Sequence, residues 1–357
     1  MDAVNESFLS TGQRTFWRVL QYVFFAVGVV ILGTLFLKPA LGLHLLWNVL
    51  IPVAPALLVL APGVWRNVCP MGTASLLPYH LKLSARKSVP RSAQRAMFAT
   101  AVLLLLVIVP LRHVVLDTNG PITGAVLLTV ALLAGGLGLV FSERSAWCSG
   151  LCPVYPVELL YGVRPVVTVP NAHCRACNTC VSPCRDSTDG ATPHIVARRG
   201  IGRWAATLLI GGFPGFIIGW YQVPTWELEE GLRHLPEAYL WPWGGMLASL
   251  IVYAILTKIL SKGRSELTTL FAAAAVGAYY WFKLPVMVGL GNPASALVDL
   301  GGILPSWSVW PLRIGEVVLF LALLALRRKP KAWEIQPPLA PGVSPSYSSP
   351  PPEYVEA

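Results

Sequence analysis

The sequence predicts an all-α integral membrane protein of about eight transmembrane helices, with a small cysteine-rich loop domain on one side of the bilayer. Three observations lead there. Only 12% of the 357 residues are charged, whereas soluble domains carry about a quarter. The mean hydropathy is +0.61. The apolar residues fall in eight runs, each close to the roughly 20 residues that span a bilayer as a helix.

In chain order the runs cover about 16–37, 40–62, 96–112, 121–141, 204–222, 239–259, 267–288 and 309–326. The first is long and has no small-residue cleavage site after it, so it reads as a retained helix and not as a signal peptide. The third is the shortest, and the seventh carries Lys283 near one end. Gly135-Gly136-Leu137-Gly138 and Gly211-Gly212 fall inside runs, where small residues serve close helix packing.

Charge orders the loops. Placing the N-terminus, 63–95, 142–203, 258–266 and everything after 326 on one side gathers 22 of the 27 Lys and Arg residues there. The remaining five are Lys38, Arg112, Arg233, Lys283 and Arg313. The positive-inside rule makes the first set cytoplasmic, with both termini on that side of an inner membrane. The net charge of +10 is then a topology signal. No basic stripe or nucleic-acid motif accompanies it, so nucleic acid is excluded as a partner and membrane lipid is expected.

All seven cysteines fall on the cytoplasmic side of this topology, where disulfides rarely persist. Four of them, Cys174, Cys177, Cys180 and Cys184, form C-x2-C-x2-C-x3-C within eleven residues. That is the spacing with which short irregular loops wrap thiolates around an iron–sulfur cluster. Zinc is the chemical rival, but structural zinc sites usually split their ligands into two separated pairs. The spacing therefore predicts one [4Fe-4S] cluster in a ferredoxin-like loop.

The other three cysteines sit in two similar turns. The first hairpin of helices ends in Trp65-Arg66-Asn67-Val68-Cys69-Pro70, and the second in Cys148-Ser149-Gly150-Leu151-Cys152-Pro153. Each turn precedes a short segment, Ala74–Leu83 or the amphipathic stretch through Tyr161 and Val163, which suggests an internal repeat with Trp65 in the place of Cys148. A Cys-Pro turn exposes its thiolate with no competing N–H on the next residue. Cys69 or Cys152 can thus complete a site begun by Cys174, Cys177 and Cys180, leaving Cys184 to join the remaining two. The simpler alternative is one cluster on the four loop cysteines alone. Seven thiolates cannot fill two four-cysteine sites, so a second cluster needs His173 or an open position.

Four parts follow: 1–165, a four-helix membrane module with two repeated Cys-Pro hairpins; 166–203, the cluster loop; 204–333, a second four-helix module; and 334–357, a Pro- and Ser-rich tail expected to be disordered. At the outer ends of the second and third helices, His44 and His113 are placed to ligate a b-type haem, or to border a quinone pocket in which His113 or Asp117 accepts the proton. The competing reading is a pair of interfacial polar residues. Lys283, Arg313 and Glu316 are charges within spans; Lys283 pairing with Glu316 and Arg313 snorkelling to headgroups would account for them.

With these turns in place, the chain resembles the NapH/NosR-type membrane iron–sulfur proteins, which carry paired CxxxCP motifs at helix ends and cytoplasmic ferredoxin clusters. The resemblance rests on Cys148, Cys152-Pro153, Cys69-Pro70 and the four loop cysteines, and covers roughly residues 40–190. This chain has one ferredoxin loop where those proteins often have two, and its first CxxxCP lacks the leading cysteine. The resemblance implies an electron-transfer subunit of an oxidoreductase complex, relaying electrons between the quinone pool or a membrane partner and a cytoplasmic-side redox partner. An acidic ferredoxin or flavoprotein is the expected soluble partner, steered by Arg175 and Arg185. The alternative class is an iron–sulfur assembly or regulatory factor, a metal reductase or redox sensor for a respiratory enzyme.

Overall fold

The computed structural model describes residues 9–174, 177, 180–181, 184–186, 188–260, 264–291, 295–325, 334–335, 339 and 342. Arg175 and most of the tail lie outside the described residues. Eight helices are long and apolar enough to cross a bilayer, the architecture of a multi-pass membrane protein.

They are α1 (Thr11–Leu37), α2 (Pro39–Leu60), α5 (Arg91–Leu116), α6 (Gly120–Val140), α10 (Ile201–Trp220), α12 (Leu235–Ile259), α13 (Arg264–Met287) and α14 (Val309–Ala325). The short helices α3 (Pro62–Val68), α4 (Pro70–His80), α7 (Trp147–Leu151), α8 (Tyr155–Tyr161), α9 (Pro193–Val196) and α11 (Leu228–Gly231) lie between them. Each span falls where an apolar run predicts it. Ser10 caps α1 in a reciprocal capping box with Gln13, which satisfies donors that a helix start leaves open. Pro39 and Pro62 open α2 and α3 at positions where a missing N–H costs nothing.

The main apolar core runs through both halves of the chain. It joins Leu58 and Val59 of α2, Phe98 and Leu106 of α5, α8, Phe213 and Phe216 of α10, Tyr253 of α12, Phe271 of α13 and Phe320 of α14. The two four-helix modules are therefore packed on one another. Within this core α8 is buried along its whole length, so the predicted amphipathic stretch has no solvent face.

Helices α10 and α12 approach most closely. A Cβ added to Gly215 would run into the carbonyl of Gly245, and one on Gly219 into that of Trp241. Gly211, Gly215 and Gly219 form one small-residue stripe at four-residue spacing, of which the paired Gly211-Gly212 is only the beginning. Gly138 of α6 is pressed in the same way against the Ser75 carbonyl of α4.

Two short strands complete the fold. β1 (Val169–Pro170) pairs in parallel with β2 (Glu334–Ile335), and Leu339 bridges to Cys177. Within the segment 334–357, Glu334–Ile335 and Leu339 are thus paired with backbone at the start of the cysteine loop and within it.

Candidate functional site

The Cys-Pro turns are built alike. Cys69 has φ −56° and ψ 123°, Cys152 φ −61° and ψ 122°, the extended backbone that a following proline imposes. Each ends a short helix, with the next starting at once after Cys69 and three residues on from Cys152, and each N–H returns to a tryptophan carbonyl at 2.9 Å, Trp65 for Cys69 and Trp147 for Cys152. The thiols face backbone donors at the start of the next segment, Gly72 N–H for Cys69 and Val154 N–H for Cys152. The two turns thus share a backbone shape and a bond to a tryptophan carbonyl, although that tryptophan is four residues back from Cys69 and five back from Cys152.

The structure brings Cys69, Cys148 and Cys152 within electrostatic reach of one another, although 78 residues separate the first two from either side of two membrane helices. Cys174, Cys177, Cys180 and Cys184 form a second set, in which Cys180 feels both Cys177 and Cys184. All seven are free thiols. Among the described residues, no three His, Cys, Asp or Glu side chains converge on one point as a ready metal site. The donor chemistry nevertheless fits iron: two neighbouring groups of free thiols, with buried cations beside them.

Burial governs these thiols. It pushes Cys69 up to about 11, with the charge of neighbouring Cys148 adding to the effect. Burial likewise raises Cys152, Cys174 and Cys180 well above the usual thiol range. Cys174 donates to Glu143 Oε2 at 3.1 Å, and Cys148 Sγ accepts from Arg144 Nε at 3.3 Å. Without a metal, burial favours the protonated form of Cys69, Cys152, Cys174 and Cys180; a bound cation reverses that preference, because coordinated thiols are deprotonated.

A buried polar frame holds the two thiol sets together. Arg66, 3% exposed, lies 2.7 Å from Asp186 and 3.5 Å from Glu158, and donates to Ser149 Oγ at 2.7 Å. It is also in electrostatic reach of Cys148 and Cys184. Burial raises Glu158 to about 7 against the opposing pull of Arg66. Asn67, fully buried, donates to Pro170 O at 3.1 Å and accepts from Ala172 N–H at 3.3 Å. Asn171 Oδ1 in turn accepts from the N–H groups of His173 and Cys174, which fixes the entry to the loop.

Two expectations change here. His173 Nε2 is bonded to Arg66 O at 2.9 Å and Nδ1 to Gln21 Nε2 at 3.4 Å, so both ring nitrogens are engaged within the protein, and a role as an extra cluster ligand would break one of these bonds. Arg185 is fully buried and donates to the carbonyls of Ala191 and Gly162. It therefore ties the loop to the end of α8 and cannot steer a partner from the surface. Among the described residues, Arg66 and Arg144 are buried cations in electrostatic reach of the thiols. Both were visible as charges near Cys-Pro turns, but nothing in the sequence separates a buried arginine from a topology-setting one.

At the opposite end of the bundle is a cavity of about 770 Å³, lined by His44, Trp47, Asn48, Arg112, His113, Asp117, Trp220, Tyr279 and Lys283 among others. Arg112 pairs with Asp117 at 2.9 Å and lies over the rings of Trp47 and Trp220 at 3.9 and 4.9 Å. Lys283 donates to Asn48 Oδ1 at 2.8 Å, and Asn48 is bonded to His44 at 3.3 Å. Lys283 is thus partnered by Asn48 and not by Glu316, because α13 turns it toward α2. Arg313 donates to Trp281 O at 2.9 Å and lies 5.3 and 5.6 Å from the ring centres of Trp281 and Trp310.

His113 is bonded through Nδ1 to Thr225 Oγ1 at 3.1 Å and through Nε2 to Trp220 O at 3.0 Å. With both nitrogens engaged, the His44–His113 pair does not offer two free axial ligands for haem, although both residues do border one cavity. No family model, curated protein or solved structure matches the chain.

Proposed function

We propose that this chain is a membrane-bound iron–sulfur electron-transfer subunit of the NapH/NosR type. One cluster is held by Cys174, Cys177, Cys180 and Cys184, and a second, with an open position, by Cys69, Cys148 and Cys152. The observation that carries this reading is the gathering of seven free thiols from three chain segments at one end of an eight-helix bundle. Bound clusters supply one-electron oxidation and reduction.

The chain's own residues set the terms for that chemistry. Arg66 and Arg144 place fixed positive charge beside the thiols, which favours thiolate and a more negative reduced site. The frame of Arg66, Asp186, Glu158 and Asn67 holds the two Cys-Pro turns against the loop, so that electrons have a short path between sites. The cavity at the other end has aromatic walls and polar groups at its rim, a fit for a quinone head group. Of its titratable groups, Asp117 is tied to Arg112, Lys283 to Asn48, and His113 is bonded at both nitrogens; His44, bonded among the described residues at Nδ1 only, is the imidazole that would meet a quinol hydroxyl through Nε2. The cysteine end is cytoplasmic by its basic loops.

The deciding measurement is iron and acid-labile sulfide per chain on anaerobically purified protein, with electron paramagnetic resonance before and after dithionite. About eight irons with coupled signals support two clusters, and about four confine the chemistry to the loop. Zinc in place of iron overturns the redox reading. A reporter fused to the C-terminus should read cytoplasmic.

The second reading is an assembly or redox-sensing factor. It is favoured by the pairing of Leu339 with Cys177, through which a change at the loop reaches the tail. Turnover with a quinol and an artificial acceptor supports the first reading; an effect on the maturation of another protein without turnover supports the second.

A further inference from the structure

Glu316 lies midway along α14, is 5% exposed, and has no hydrogen-bond partner at either carboxylate oxygen among the described residues. It faces α13: Phe320, one turn further along the same helix, stacks on Tyr280 at 5.2 Å, and Tyr280 is in electrostatic reach of Glu316 itself. Among the described residues, no cation is paired with it. Arg313, one turn away on its own helix, is directed to Trp281 O, and Lys283 on α13 is bonded to Asn48. The facing stretch of α2, Ile51–Leu60, contains no titratable residue.

Tyr280 occupies an unusual position. Its hydroxyl accepts from Ala56 N–H at 3.0 Å and donates to Pro52 O at 2.5 Å, inserting itself into the i→i−4 ladder of α2. Pro55 opens that ladder, since it has no N–H and its ring crowds the carbonyl one turn back. The hydroxyl oxygen retains one lone pair, the complement of a carboxylic acid O–H.

A carboxylate with neither cation nor donor is strongly disfavoured inside a helix bundle, whereas the neutral acid is tolerated. Intramembrane acids facing the bundle interior mark proton or ion pathways. We propose that Glu316 is an intramembrane proton-binding site, holding a proton beside the Tyr280 hydroxyl at the break in α2. This inference uses no cysteine and stands apart from the cluster reading.

The test is reaction with dicyclohexylcarbodiimide at neutral pH, on the full-length protein in membrane vesicles, with the adduct located by peptide mass spectrometry. A protonated carboxyl adds its O–H across one C=N bond to give an O-acylisourea, which rearranges to a stable N-acylurea with every atom retained. We expect an adduct on the peptide containing Glu316, at least ten-fold above that on the water-exposed carboxylates Glu227 and Glu229. Glu316→Gln should abolish it, and an infrared band of a neutral acid carbonyl should disappear in the same variant. The wild-type mass spectrum decides the matter even if that variant does not accumulate. Absence of an adduct at Glu316 overturns the proposal. Protection of Glu316 by sodium ions also overturns it, because the ligand would then be a metal cation and not a proton.

Discussion

Arg66 lies 2.7 Å from Asp186, which joins the helix just before the first Cys-Pro turn to the residue two places beyond Cys184. The pair is almost fully buried, and Arg66 also faces Glu158 at 3.5 Å. Removing one partner of a buried pair leaves an uncompensated charge, a loss of about 3–5 kcal/mol. Arg66→Met should therefore lower the melting temperature in detergent sharply. Arg66→Met combined with Asp186→Asn should recover part of the loss. Equal melting temperatures for wild type and Arg66→Met would refute the framing role.

Asn67 secures residues 170–172 through two hydrogen bonds. At about 1 kcal/mol each, Asn67→Ala should lose about 2 kcal/mol. Much of this should appear locally, as faster amide exchange at Ala172. Asn67→Asp keeps the acceptor for Ala172 N–H and loses the donor to Pro170 O, so protection at Ala172 should survive better than in the alanine variant. Hydrogen-exchange mass spectrometry over 169–174 compares them.

The thiols give a pH dependence of known sign. Burial raises the Cys69 thiol from its ordinary value of about 9 to about 11. A group raised on folding adds stability below its unfolded value, and that stability is lost as pH climbs through the folded one. The metal-free protein should accordingly lose stability between about pH 9 and pH 11, and Cys69→Ala should reduce the loss. Iron loading runs the other way, since protons compete for the same sulfurs. Reconstituted iron should fall as pH is lowered, with protons released on binding. Cys177→Ala should abolish the spectrum of the loop cluster, and Cys152→Ala should remove iron only from the second site. Unchanged iron in Cys152→Ala leaves a single cluster.

Gly215 and Gly245 set the distance between α10 and α12. Gly215→Leu should push the helices apart and lower the yield of folded protein in detergent, while Gly136→Leu, where a Cβ meets nothing within 4 Å, should be tolerated. Size-exclusion profiles of the two variants provide the comparison. Similar monodispersity in both would show that the stripe is dispensable.

The helices were legible because a membrane span depends on composition over a short local window, and the Cys-Pro turns because proline restricts the residue before it. The glycine stripe was half legible. Gly211, Gly215 and Gly219 share a face by spacing alone, yet the partner helix is chosen only in the packed bundle. The buried charges were not legible. Arg66, Arg144 and Arg185 read in sequence only as part of the basic set that orders the loops, yet all three are buried, Arg66 against the distant Asp186.

By itself the sequence determined the eight spans, the extended backbone at Cys69 and Cys152, and the close spacing of the loop cysteines. These follow from local hydropathy, proline sterics and chain length between neighbours. Only the tertiary structure decided that Cys69 lies beside Cys148 and Cys152, that Lys283 bonds Asn48 and leaves Glu316 unpaired, and that both nitrogens of His113 are engaged. Such partners are chosen when distant helices close on one another, and an unpaired charge or donor inside the bundle is costly enough to make that choice consequential.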